Sequence, residues 1–182
     1  LGDALATLRG ASGPLPFVSE AVSHNRLLHD AIKAAFIHDF EPLARDSMIL
    51  QLAGGLLQGA GESGSVPGLR HTDDAALGQI HDFLSSEYHR VVRSDELERL
   101  CGMTRFELAR QFRHRYGTSP YRFMMLRRLD AARRMMADGT ALADVALACG
   151  FADQAHFTRM FKTALGMTPT RYRALRRARR LQ

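Results

Sequence analysis

Along this chain apolar side chains recur three and four residues apart and alternating strand-like runs are nearly absent, so the pattern predicts an all-α protein. After an irregular opening that holds Pro14 and Pro16, Ser23 is placed to cap a helix with Leu27, Leu28, Ala31, Ile32, Ala35 and Phe36 along one side. A second helix begins at Pro42, a position that tolerates proline, and carries Leu50, Leu52, Leu56 and Leu57. The stretch GAGESGSVPG, Gly59 to Gly68, has the composition of a flexible linker. Beyond it the pattern predicts seven helices, at about 73–89, 94–101, 104–116, 119–137, 141–149, 153–165 and 168–179. The resulting division is a helical segment over 1–60, a linker over 61–72 and a domain over 73–182.

That domain contains an internal repeat. Leu100 to Phe123 reads LCGMTRFELARQFRHRYGTSPYRF, and Ala148 to Tyr172 reads ACGFADQAHFTRMFKTALGMTPTRY. Cys101-Gly102 matches Cys149-Gly150 at an offset of 48, while Phe112, Gly117 and Pro120 match Phe161, Gly166 and Pro169 at 49. Each copy reads as a short helix, a glycine turn, a second helix, and a further helix opened near a proline: two helix-turn-helix modules joined by the long helix at 119–137. Thr104 to Glu107 forms a capping box that sets the start of the second helix of copy one.

The helical wheels divide these second helices into two faces. In copy two Phe157, Met160, Phe161, Ala164 and Leu165 form the inward stripe, and Ala155, His156, Arg159, Lys162 and Thr163 lie opposite. In copy one Leu108 and Phe112 face inward with Tyr116 at the edge, while Phe106, Arg110, Arg113 and His114 face away. Arg, Gln, His and an aromatic in the first turns of a helix suit the DNA major groove, because Arg pairs with guanine, Gln with adenine, and an apolar group meets the thymine methyl. Arg105, Phe106, Arg110, Gln154, His156 and Arg159 are the base-contact candidates. Arg113, Lys162, Thr163, Arg171 and Arg173 are the phosphate-contact candidates.

Charge supports a polyanionic partner. Residues 1–70 carry 5 basic and 7 acidic side chains, and residues 71–182 carry 20 and 12, so the whole net charge of +6 comes from the second part. Two cysteines in 182 residues make neither a disulfide framework nor a metal-ligand spacing, which fits a reducing cytoplasm. No apolar run approaches the ~18 residues that span a bilayer, and no signal segment opens the chain, so no membrane role is expected. A chain that starts at Leu1 rather than Met reads as a fragment or a processed product. No phosphate-binding glycine loop, metal cluster or Ser/His/Asp arrangement appears, so neither enzymatic activity nor a cofactor is expected.

ALADVALACGFADQAHFTRMFKTALGMTPTRYR, Ala141 to Arg173, and RLDAARRMM, Arg128 to Met136, resemble the AraC/XylS family of transcription regulators. The resemblance covers about Asp73 to Arg179. It implies a DNA-binding domain of two helix-turn-helix modules with Arg105 to Arg113 and Gln154 to Lys162 as recognition segments, and double-stranded DNA as partner. Residues 1–60, with PLPFVSEAV and EPLARDSMILQLAGGLL, resemble the helical tail of the family's amino-terminal sensing domain. That implies a homodimer paired through residues 20–58, a small-molecule effector bound in a sensor barrel that this chain lacks, and RNA polymerase as a further partner. Glu98 stands where the family has a small residue, so copy one should pack more loosely than copy two, which has Ala146 there. Ala109 and Ala155 replace polar base-contacting side chains, and Ala141 replaces a serine cap for which Thr140 is a substitute.

Other readings stand beside these. Cys101 and Cys149 are small packing residues before the turn glycines rather than thiol sensors. His24, His29 and His38 lack an i, i+3 or i, i+4 pairing and predict no metal site. His156 reads either as a base contact or as a simple surface histidine, and Phe106 either as a contact to DNA or as a staple folded onto the preceding turn. Met124, Met125, Met135 and Met136 fill gaps in the core of the long helix. Arg171, Arg173, Arg176, Arg177, Arg179 and Arg180 form a basic run whose ordinary role is a solvated face, with phosphate attraction in addition. The functional expectation is a sequence-specific, effector-controlled transcription regulator that reads two successive major grooves; the alternative is a non-specific architectural DNA-binding protein.

Overall fold

The computed structural model describes residues 1–18, 24–37, 41–62 and 73–180. Ser23, His38 and most of the expected linker, 63–72, lie outside the described residues, as do the side chains of Ala35, Phe36, Arg177, Arg179 and Arg180. Ten helices and no strand occur among the described residues: α1 (Gly2–Arg9), α2 (Arg26–Ile37), α3 (Pro42–Gly59), α4 (Asp74–Ser86), α5 (Ser94–Cys101), α6 (Arg105–Tyr116), α7 (Pro120–Ala137), α8 (Leu142–Ala148), α9 (Gln154–Leu165) and α10 (Pro169–Arg180). The seven helices predicted beyond the linker are all present within a few residues of their expected ends. Helix α1 was not expected, although Ala4, Leu5 and Leu8 line one side of it and Gly10 stops it in the left-handed region at φ 76°.

The helices form two compact units, residues 1–83 with 92–122, and residues 84–91 with 123–182. In the first unit α1, α2 and α3 share a compact body with α5 and α6. Asn25 opens α2: its Oδ1 accepts from the Leu27 and Leu28 amides at 2.9 and 3.3 Å, and its Nδ2 donates to the Gly55 carbonyl on α3 at 2.9 Å. Helices α5 and α6 make the first helix-turn-helix, held by Leu97, Leu108 and Phe112, each no more than 2% exposed. The Phe112 ring lies 4.6 Å from Tyr116, whose ring stacks on His81 at 5.1 Å.

The second unit holds α8, α9 and α10 around most of α7. Its core is a run of rings, Phe151, Phe157, Phe161 and Tyr172, with successive centroids 5.1 to 5.5 Å apart. Met124, Met125 and Met136 are buried as expected, and Met135 is half-buried. The guanidinium of Arg128 is wholly buried, which the sequence reading did not foresee. Its Nε donates to the Tyr88 carbonyl at 2.7 Å and its Nη2 to the Arg90 carbonyl at 2.9 Å, and it lies 5.9 Å from the centre of the Phe151 ring. Those bonds satisfy a charge that would otherwise be costly to bury.

The same turn is met from the other side by Gly150, where a Cβ would stand 2.7 Å from the His89 carbonyl carbon and 2.8 Å from the Tyr88 oxygen. Gly102, its counterpart in the first module, has nothing within 4 Å of that place. Neither Ala141 nor Thr140 caps α8 through its side chain: Ala141 holds the cap position without such a bond, and the Thr140 carbonyl accepts from Arg173 at 3.2 Å.

Both glycines have φ near +70°, at 68° and 76°. Gly102→Ala is expected to cost only the left-handed backbone penalty, ~1–2 kcal/mol, whereas Gly150→Ala must also displace the Tyr88–His89 backbone. Denaturant midpoints of the two variants measure the difference; equal losses would contradict the close approach at Gly150.

Candidate nucleic-acid interface

In the second module α9 is fixed at its start by Asp153, whose carboxylate accepts from the His156 amide at 2.6 Å. That hydrogen bond, together with one from Ala155 and the charge of Arg159, outweighs desolvation and holds the Asp153 carboxyl below the usual carboxylate range. A carboxyl shifted downward stabilises the fold above its unfolded pKa and loses that contribution as pH falls through the folded value. Phe157, Met160 and Phe161 are buried. Ala164 and Leu165, predicted inward, are exposed instead, because the apolar contacts of α9 end with Phe161 one turn before the helix stops.

The opposite side of α9 presents Gln154, Ala155, Arg159, Lys162 and Thr163 to solvent, with Thr158 half-exposed among them. His156 does not belong to that face. It is 1% exposed, its ring meets Phe151 edge-on at 5.6 Å, and its Nδ1 accepts from the Ala152 amide at 3.4 Å. Its position two residues into the helix turns it toward the α8–α9 turn, so both outward readings of His156 give way to a packing role. His156→Ala is expected to lower stability by about 2 kcal/mol or more without changing base preference. Unfolding midpoints and a panel of single-base DNA variants check this; altered preference at unchanged stability would overturn it.

In the first module Thr104 caps α6 as predicted, accepting from the Glu107 amide at 3.3 Å, and the Glu107 carboxylate accepts from Gln111 at 3.3 Å. Leu108 and Phe112 are buried, Arg113 and His114 exposed, and Arg110 half-buried. Phe106, placed outward by its wheel, is only 7% exposed. It sits in an apolar cluster with Ala4 and Leu5 of α1 and Ala53 and Leu57 of α3, flanked by Leu8, Ile49 and Leu50. The preceding turn is not its support, so neither sequence reading of Phe106 describes its place here. Ala109, one turn on, is 6% exposed.

Arg105 is held by two carboxylates. Glu98 accepts from the Arg105 amide at 2.7 Å and from its Nε at 3.2 Å, and Asp46 of α3 lies 3.7 Å from its Nη1. Partial burial works against the Arg105 charge, but the Glu98 hydrogen bond and the two negative charges more than offset it and raise its pKa. Asp46 is itself 6% exposed and accepts a hydrogen bond from the Ser94 hydroxyl. The sequence reading missed Asp46, yet a signal was present: Leu43, Asp46, Leu50, Ala53 and Leu57 follow one helical stripe, and a carboxylate on such a stripe needs a cationic partner.

Among the phosphate-contact candidates, Lys162, Thr163 and Arg171 are exposed along with Arg113. Arg173 is half-buried and, with Arg133, Tyr172 and Arg176, lines a basic recess of about 270 Å³ between the α7 C-terminus and α10. Burial pushes both thiols up, Cys149 against the Met135 sulfur at 3.8 Å and Cys101 in part, as suits packing residues.

Residues 97–175 match a family described as a helix-turn-helix domain. The activator RhaS of Yersinia pestis (strain Pestoides F) is 30% identical over 97 residues, which cover 53% of this chain and 36% of RhaS. The DNA-binding domain of AdpA, a global transcriptional factor solved with a target DNA, superposes with a TM-score of 0.55 at 28% identity, covering 59% of this chain and 97% of that one. A regulator from Chromobacterium violaceum with an AraC-type DNA-binding domain gives a TM-score of 0.52 at 25% identity, covering 57% of this chain and 93% of that one. Over these matched regions the chain is similar to helix-turn-helix and AraC-type DNA-binding domains. The matched region contains both modules, with α7 joining them, and its likenesses are to transcription regulators and DNA-binding domains. The chain spans little over a third of the length of RhaS, which is much longer than the shared domain. Among the described residues no helix is long and apolar enough to cross a membrane.

Proposed function

We propose that this AraC-type protein binds specific DNA sites by placing α6 and α9 in two successive major grooves. The observation that carries the reading is α9 itself: an aromatic core locks one face, and Gln154, Arg159 and Lys162 stand exposed on the other. Such a helix meets base edges through its first turns and phosphates through its flanks. In the same reading Arg105 to Arg113 are the first recognition segment, with Arg110 matching Arg159 at an offset of 49. Transcriptional activation in the cytoplasm, contact with RNA polymerase and control by a small-molecule effector held elsewhere in the intact protein belong to this proposal; the activator RhaS supports its direction. Homodimerisation through residues 20–58 belongs to it too. Leu50 and Leu57 are engaged in the cluster around Phe106, so the apolar side available for a second copy is the one with Leu27 and Ile32, 40% and 53% exposed.

Selection from a random duplex library distinguishes sequence-specific reading from architectural binding, because specificity is a ratio of affinities. On the selected site Arg159→Ala is expected to cost ~1–3 kcal/mol and to relax preference only in one half. Arg110→Ala does the same in the other half, about one helical turn away, ~10 base pairs. Uniform loss across a panel of base variants would reduce either arginine to a phosphate contact, and two effects at one base pair would refute the two-groove arrangement.

Binding should also weaken steeply with salt, with a slope of about −0.9 for each phosphate neutralised. Arg171→Ala is expected to lower that slope by roughly one such step while base preference stays intact. Titrations at several salt concentrations check it, and an unchanged slope would remove Arg171 from the phosphate contacts.

A further inference from the structure

The two modules are copies of one design, yet their reading faces are in different states. On α9 the positions of Gln154 and Ala155 are open to solvent and Thr158 is half-open. The matching positions on α6 are Arg105, Phe106 and Ala109. Arg105 is paired with Glu98 and Asp46, Phe106 is 7% exposed under α1 and α3, and Ala109 is 6% exposed. Between α3, α5 and α6 remains a cavity of about 20 Å³, lined by Leu43, Asp46, Ser94, Arg105, Ala109 and Pro120, with room for one water. A DNA duplex cannot share this face with two helices, since a groove-bound helix brings its exposed first turns against the bases.

From this we infer that α1 and α3 act as an internal competitor for DNA, covering the reading face of α6 so that the first module engages its half-site only when they move away. The inference rests on the proposed reading of α6 as a recognition helix. Its chemistry imitates what it displaces. The Asp46 carboxylate takes the cationic Arg105 as a phosphate or a base acceptor would, and the Leu5, Ala53 and Leu57 side chains take Phe106 as a thymine methyl or sugar would. In the second module the exposed Gln154 and Ala155 have no such cover, so α9 is the head presented first.

The test uses the full chain and its selected site, intact or with the half assigned to α6 scrambled. Hydrogen exchange of the α1 amides is expected to quicken when the wild-type protein binds the intact site, and to stay unchanged on the scrambled one. Asp46→Asn and Leu57→Glu weaken the cover from the α3 side. Each is expected to increase the advantage of the intact over the scrambled site by about tenfold or more, the effect of losing a charged hydrogen bond or a buried apolar contact. That gain is expected to vanish when Arg110→Ala is added. Circular dichroism and unchanged preference in the α9 half show that the variants are folded. Should a variant fail that check, wild-type exchange alone decides the matter. Unchanged or slower α1 exchange on the intact site, with Arg110→Ala still costing preference in the α6 half, would overturn the covering while leaving α6 a reading helix. If scrambling that half changes nothing in any protein, the reading of α6 falls, and the internal competitor with it.

Discussion

A helix that reads DNA has to be gripped by one face strongly enough to leave the other bare, and that constraint organises this molecule. Phe112 in α6, and Phe157 and Phe161 in α9, are fully buried and provide the grip. Each such side chain contributes ~1.5–3 kcal/mol by leaving water, several times what a surface ion pair supplies. The polar face is then free of any structural duty. On α9 it carries Gln154, Arg159 and Lys162, all exposed to solvent.

The two turns that set the angle of these helices are built to different tolerances. In the second module Gly150 presses on the Tyr88–His89 backbone and Arg128 fastens the carbonyls of Tyr88 and Arg90, so the geometry is locked by contact and by hydrogen bonds. In the first, a Cβ at Gly102 would meet nothing within 4 Å, and Glu98 binds the Arg105 amide and side chain.

What lies over α6 is α1 and α3, through a cluster whose scale matters. Phe106 and Leu57 are each worth a few kcal/mol on burial, and a good bidentate base contact is worth ~1–3 kcal/mol of discrimination. Energies of the same order allow one partner to replace the other. A much larger apolar interface would hold α6 permanently, and an exposed ion pair alone would hardly compete. The buried Asp46 carboxylate, satisfied by Ser94 and facing Arg105, also makes the contact specific in register.

Much of this was written in the one-dimensional pattern. Periodicity, the two prolines at 120 and 169 and the duplicated Cys-Gly turns determine the helix order and the paired modules, because those signals act over a few residues and need no distant partner. The cationic side of α9 is legible for the same reason. Helix α1 was hidden because it is short and precedes two prolines, and its burial depends on α3 and α6 rather than on its own propensity. A wheel separates two faces but does not say what comes to rest on either. Hence His156, placed outward, folds into the α8–α9 turn beside Phe151, and Phe106, also placed outward, is buried by residues about 50 to 100 positions earlier in the chain. The sequence alone determined which polar and cationic side chains fall on each helix face; only tertiary packing decided which of them stand open, since burial is a property of what the rest of the chain places against a face.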